Sequence, residues 1–167
     1  MDLKKRSDVN IENTWNLDDL FKNLEQWELL FSKLENSISK IEKYKGSLKE
    51  SAETIFNATK CLLETSREIE KLYVYASLRS DQDISNTENT SLKDRALNLY
   101  SRFSQSASFF SPELLKIDSE TIDSYLKDGL LEEYKRTLGE TLRYRDCLLY
   151  TSPSPRDRTR SRMPSSA

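Results

Sequence analysis

Histidine is absent from all 167 residues. Without an imidazole the chain has no His-based general acid or base and no triad built on one, and it lacks the commonest ligand of catalytic zinc. Cysteine is scarce: Cys61 and Cys147 are the two in the chain, too few for a disulfide framework. Cys61 lies in an apolar helical run and is expected as a buried free thiol. With three glycines in the whole sequence, there is no glycine-rich phosphate loop, no nucleophile elbow and no Asp-x-Asp-x-Asp-Gly calcium loop. No zinc motif occurs either. No stretch is long and apolar enough to span a membrane. The basic start, Met1-Asp2-Leu3-Lys4-Lys5-Arg6, is not followed by the apolar run of a signal peptide. The expected location is the cytoplasm, with no membrane partner.

What is present is charge, and it is unevenly spread. Charged residues make up 32% and hydrophobic ones 36%, a balance that suits solvent-bathed helices. Residues 151–167 hold Arg156, Arg158, Arg160 and Arg162 against Asp157, a charge of +3. That leaves −5 for the preceding residues of a chain whose net charge is −2. An acidic body does not suit nucleic acid, which needs clustered Lys and Arg on the folded surface. Proline is uneven too. Pro153, Pro155 and Pro164 fall in the final stretch, and Pro112 is the remaining one of four. After Tyr150 only Met163 and Ala167 are apolar, too little to offset the entropy of ordering that segment.

The body reads as helices. Trp15-Asn16-Leu17-Asp18-Asp19-Leu20-Phe21 is expected to open the first, with Asn16 as N-cap and two aspartates in the first turn. Leu17, Leu20, Leu24, Trp27, Phe31, Leu34, Ile38 and Ile41 then recur at three- and four-residue steps, a buried stripe. Gly46 is the stop. A second helix is expected from Ser51 through Ile55, Leu62, Ile69, Leu72 and Tyr73 to about Arg79, with a turn over Ser80–Asn86. A third carries Leu92, Ala96, Leu99, Phe103 and Ala107 and ends near Phe109-Phe110. Ser111-Pro112-Glu113 resembles a restart, with serine as N-cap and proline at the first helical position. A short helix from Ser119 through Ile122 and Leu126 should end at Gly129, and the last should contain Leu130, Leu131, Tyr134, Leu138 and Leu142. No β-alternation of useful length appears. The fold class is all-α: antiparallel long helices in a bundle-like domain, followed by a disordered C-terminal tail.

The run from Leu72 to Asp83 is the densest in candidate chemistry. Tyr73, Tyr75, Arg79, Asp81 and Asp83 have the side chains to line a polar cleft. The structural alternative packs Leu72, Tyr73 and Ala76 inward, sets Arg79 near a helix C-terminus as a cap or ion pair, and makes the aspartates caps and turn residues. The runs Glu50-Ser51-Ala52-Glu53 and Glu68-Ile69-Glu70-Lys71 read as solvated faces. Trp27, Phe31, Tyr73 and Phe103 read as core.

Four segments occur in a familiar order: Trp15 to Phe21, Leu72 to Asp83, Phe109-Phe110-Ser111-Pro112-Glu113-Leu114-Leu115, and Leu138-Gly139-Glu140-Thr141-Leu142-Arg143-Tyr144. Together, over residues 8–145, they resemble the N-terminal region of oligoendopeptidase F, a bacterial zinc metallopeptidase of the thimet-oligopeptidase type. The resemblance implies a cytoplasmic, helical enzyme that cleaves short peptides. It further implies zinc held by a His-Glu-x-x-His helix and a downstream glutamate, and N-terminal helices that wall a deep channel. This chain has no such motif, so no catalytic, cofactor-binding or metal residue carries over to it. The zinc and the implied partner, a C-terminal catalytic domain, belong to the full-length family.

The domain boundaries that follow are a flexible N-terminus at 1–13, the helical domain at 14–145 and a basic tail at 146–167. The resemblance stops after Arg145. From Cys147 to Ala167 the sequence resembles translated adaptor or vector sequence. A genuine disordered tail, with Ser-Pro and Arg-Ser steps open to phosphorylation or RNA binding, is the alternative. On function, the alternative to a non-catalytic peptidase fragment is a stand-alone helical interaction module.

Overall fold

A computed structural model describes residues 9–150, with side chains described as far as Arg145 apart from that of Ile11. Six α-helices occupy this span: α1 Leu24–Ile41, α2 Ala52–Gln82, α3 Thr87–Ala107, α4 Phe110–Lys116, α5 Ser119–Lys127 and α6 Lys135–Tyr150. No strand occurs among the described residues, as the absence of period-two alternation requires. The tail expected at 146–167 begins within α6, which runs to Tyr150; residues 151–167 and residues 1–8 lie outside the described residues.

The three long helices form an up-down-up bundle. Across α1 and α2 the Trp27 indole Nε1–H donates to the Leu72 carbonyl at 3.1 Å, and Lys33 pairs with Glu68 at 3.1 Å. As the α1 number rises its partner's falls, so the two are antiparallel. Arg79 meets Asn89 across the α2–α3 turn, which makes that pair antiparallel as well. Glu28 with Arg95 and Glu35 with Arg102 are spaced alike on α1 and α3, which therefore run parallel.

The core stripe forms as the periodicity demands. Trp27, Leu34, Ile38 and Ile41 of α1 are buried against Ile55, Ile69, Leu72 and Ala76 of α2, with Leu92, Ala96, Leu99 and Phe103 of α3. Burying a large apolar side chain stabilises by about 1.5–3 kcal/mol, so this shared core holds the bundle together. The shorter helices close one end of it. Phe56 of α2 meets the Tyr134 ring at 5.4 Å between centroids, and the Tyr125 hydroxyl donates to the Lys49 carbonyl at 3.2 Å.

The boundaries differ from expectation in instructive places. The first helix begins at Leu24, not Leu17: Leu17–Asp19 is a 3-10 turn, and Asn16 makes no capping bond. Asn23 is the working N-cap, its side chain accepting from the Gln26 N–H at 3.0 Å. Between the two asparagines, Phe21 turns inward and meets Tyr75 edge-on at 5.1 Å. Leu24, placed in the stripe by periodicity, is exposed at the helix start.

Ser111 is not an N-cap. Helix α4 already starts at Phe110, preceded by Phe109, which makes no side-chain cap. Pro112 sits within the first turn, where its missing N–H has no intrahelical partner to lose. Helix α2 extends to Gln82, so the turn is shorter than Ser80–Asn86. Helix α3 ends at Ala107. The final α-helix starts at Lys135, because Glu132–Tyr134 form a 3-10 turn that lets Leu131 plug the core. Ser51 caps α2 as expected, accepting from the Thr54 N–H at 3.1 Å. Among the described residues Gly46 and Gly129 have positive φ, at 85° and 76°, a conformation glycine adopts without a Cβ penalty.

Candidate functional site

The residues from Leu72 to Gln82 form the last three turns of α2, with Asp83 as the extended residue that follows them, and α3 packs antiparallel beside them. Their side chains do not converge on a polar cleft. Tyr75, not Tyr73, turns inward: it is buried and receives a hydrogen bond on its hydroxyl from Arg79 Nη1 at 3.1 Å. Arg79 Nε donates to the Asn89 Oδ1 at 2.8 Å, and the Asn89 amide returns a bond to the Arg79 carbonyl at 3.2 Å. This closed exchange satisfies Asn89, which is itself buried, and pins the start of α3 to the end of α2. Arg79 thus takes the positioning role near a helix C-terminus, with an amide as its partner.

The two aspartates take separate roles. Asp81 pairs with Lys93 at 3.6 Å. Asp83 Oδ1 accepts from the Ser85 N–H at 3.1 Å and from the Ser85 hydroxyl at 2.6 Å, an Asx turn that steers the chain into α3. Tyr73 lies half-buried on the side of α2 facing Leu97 and Tyr100. Cys61 is half-buried rather than buried, and partial burial pushes its thiol pKa up.

Two open grooves flank the bundle. Between α1 and α2 lies a cavity of about 540 Å³ whose walls include Lys33, Lys40, Lys60, Cys61, Glu64 and Arg67. Between α2 and α3 lies a second, of about 450 Å³, lined by Ser66, Glu70, Tyr73, Leu97 and Tyr100. Leu97 and Tyr100 fall outside the Leu92-Ala96-Leu99-Phe103 stripe. That off-stripe placement is the signal by which the second groove can be found in the sequence.

A different polar cluster, unsuspected from the sequence, ties α3 to α1. Arg95 binds both oxygens of Glu28, at 2.6 and 2.7 Å. Its guanidinium also lies over the rings of Trp27 and Phe31, 5.1 and 4.6 Å from their centroids. The hydrogen bond from Arg95 holds the Glu28 carboxyl below its ordinary pKa. Among the described residues no three His, Cys, Asp or Glu side chains come together. This donor set does not fit a zinc ion.

Just beyond the two C-terminal segments that carried the resemblance, the end of α4 meets α6. Arg145, after Leu138–Tyr144 on α6, donates to the Ile117 carbonyl at 2.8 Å and to the Ser119 hydroxyl at 2.9 Å. It thereby satisfies an acceptor at the end of α4.

Similarity to known proteins bears on what this frame belongs to. The chain is 32% identical over 148 residues to oligopeptidase PepF of Bacillus subtilis, covering 88% of this chain and 22% of that protein. It is 36% identical over 135 residues to the chromosomal oligoendopeptidase F of Lactococcus lactis subsp. cremoris, covering 80% and 22%. The chain is a relative of oligoendopeptidase F. No family model matches it. The crystal structure of oligoendopeptidase-F from Enterococcus faecium superposes with a TM-score of 0.68 at 33% identity, over 72% of this chain and 23% of that one. A putative peptidase from Chlamydophila abortus gives a TM-score of 0.74 over 96% of this chain and 27% of that one. At 21% identity it speaks for the fold alone. The chain spans about a fifth of the length of the curated relatives it matches.

Proposed function

We propose that this chain is the N-terminal, non-catalytic region of a zinc-dependent oligoendopeptidase that cleaves short peptides, its helices forming one wall of the channel that admits them. The observation that carries this reading is the pairing of two facts. The relatives named oligoendopeptidase F match nearly the whole helical body, and this body covers only about 22% of their length. A chain without histidine cannot supply a His-Glu-x-x-His helix, so zinc binding and water activation fall to the stretch of polypeptide not represented here. The role left to these helices is to shape and support. No described helix is long and apolar enough to cross a membrane, and the proposed setting is the cytoplasm.

The test begins with the source DNA, read from the codon of Leu138 onward. The reading expects a frame that continues past Arg145 into a His-Glu-x-x-His codon set, and a frame that truly encodes Cys147 to Ala167 and then stops would sink it. The second test is enzymatic. The purified 167-residue chain, supplied with zinc, is expected to leave a quenched fluorescent oligopeptide intact. Chelator-sensitive hydrolysis by this chain would overturn its assignment as non-catalytic.

A further inference from the structure

Helices α1 and α2 leave between them the groove of about 540 Å³, a size usual for small-molecule sites. It is basic on an otherwise acidic body: Lys33, Lys40, Lys60 and Arg67 line it against Glu64 and Glu68. Lys33 is already engaged, 3.1 Å from Glu68. Lys40, Lys60 and Arg67 make no ion pair among the described residues. The Tyr44 hydroxyl and the Asn57 amide line the same groove and make no hydrogen bond among those residues either.

The antiparallel register gathers these free donors at one end. Counting from the Lys33–Glu68 pair, Lys40 comes level with Cys61, and Tyr44 with Asn57. Lys60 adjoins Cys61, so the two ammoniums, the amide and the phenol share about one helical turn. Burial pushes the Cys61 thiol up while the Lys40 charge works the other way, which puts Lys40 within electrostatic reach of it. Glu64 follows one turn farther along α2, and Arg67 another turn beyond, about 10 Å from Lys60.

This donor set selects the ligand. Two unpaired cations on one wall repel each other and gain from a shared anion. Their six N–H groups, with the phenol and the amide, exceed what the two oxygens of a carboxylate can accept. A phosphomonoester brings three terminal oxygens and, near neutral pH, nearly two charges. The other lysine pair that shares a cavity, Lys49 and Lys116, has Glu113 beside it, and that carboxylate repels an anion.

We infer that the Lys40–Lys60 end of the α1–α2 groove binds the phosphate of a small organic phosphomonoester. The ligand's body lies along the groove, where Glu64 accepts from a hydroxyl. Such a site is independent of the peptidase reading, and its test leaves that reading untouched.

The 167-residue chain is titrated by calorimetry with adenosine monophosphate and with glycerol phosphate. Adenosine, glycerol and inorganic phosphate are the comparisons. At least one organic phosphate is expected to bind one-to-one and more tightly than inorganic phosphate, and the two phosphate-free compounds are expected to be silent. Lys40→Gln/Lys60→Gln should weaken that binding about tenfold or more. Lys49→Gln/Lys116→Gln removes the same charge elsewhere and should leave it unchanged. All four lysines are exposed, and a thermal melt checks that both variants fold. Cys61 is a reporter inside the groove: its alkylation by iodoacetamide, followed on its own peptide by mass spectrometry, should slow when the ligand binds.

Binding by neither organic phosphate overturns the site, as does equal binding of the phosphate-free compounds. An equal loss from the two double variants, which is diffuse attraction, does the same, and so does alkylation of Cys61 that the ligand fails to slow. Inorganic phosphate binding as tightly as the organic phosphates means an adventitious ion only, and sinks the ligand assigned.

Discussion

Arg95 on α3 is clamped by Glu28 on α1 and laid across the stacked rings of Trp27 and Phe31. Its two terminal nitrogens reach the two Glu28 oxygens at 2.6 and 2.7 Å, while Trp27 and Phe31 lie 5.1 Å apart and nearly parallel beneath it. One side chain thus joins the parallel pair of helices by charge, by hydrogen bonding and by contact with aromatic faces. Arg102 repeats the ionic contact a heptad later, at 2.7 Å from Glu35.

Arg95→Lys keeps the charge and discards the fork and the flat stacking surface. Both members of the pair are more than a third exposed, so water screens the ionic contribution. The expected cost is about 1 kcal/mol, most of it from the ring contacts. Thermal denaturation should show a fall of about 3–5 °C in Tm. An unchanged Tm would mean that the cluster is ornamental to stability.

The pH dependence follows from carboxylates alone. The Arg95 hydrogen bond holds Glu28 below its ordinary pKa, and the Thr121 N–H, which donates to Asp118 at the start of α5, does the same for Asp118. A depressed carboxyl contributes stability that is present above its unfolded pKa, about 4, and is lost as pH falls through the lower folded value. No histidine exists to titrate near neutrality. Tm is therefore expected to hold level from about pH 6 to 7.5 and to drop below about pH 4. Arg95→Gln should make that acid-side drop shallower, and a steeper drop in the variant would contradict the assignment.

Trp27→Phe probes the α1–α2 contact. It removes the indole donor to the buried Leu72 carbonyl and leaves a void in a site with no solvent exposure. A loss of about 2–3 kcal/mol is expected from the two effects together, readable as a shift in the urea midpoint with little change in slope.

Gly46 turns the chain from α1 toward α2 at a φ of 85°. Its N–H is held between the two carboxylate oxygens of Glu113, at 2.8 and 2.9 Å. A Cβ at this position meets nothing within 4 Å, so Gly46→Ala acts through backbone strain alone. Its cost is expected at about 1 kcal/mol. Glu113→Ala frees the turn from α4 instead, and faster hydrogen exchange at the Gly46 amide is the readout.

Much of the fold was legible in the residues because helix formation is local. The spacing of Trp27, Leu34, Ile38 and Ile41 announces a buried face wherever the partner sits. Ser51 and Gly46 mark an entry and an exit by backbone chemistry that needs no knowledge of the rest of the chain. Boundaries failed where local signals competed. Asn16 reads as the cap from its neighbours, yet Asn23 caps the helix, and Phe21 between them packs inward against Tyr75. Ser111 lost its capping role because Phe110, already helical, precedes it.

The sequence by itself determined the all-helical class, the core stripes, the lack of imidazole chemistry and, through four ordered segments, the kinship with oligoendopeptidase F. Only the tertiary structure decided that Tyr75 faces in while Tyr73 faces a groove, and that Arg79 answers Asn89 and not an acid. The same holds for Glu28 finding Arg95 across the bundle. A helix's own period sets which residues share a face. Which neighbour a face meets depends on where the turns place the next helix, and that is settled by packing all three helices around one core.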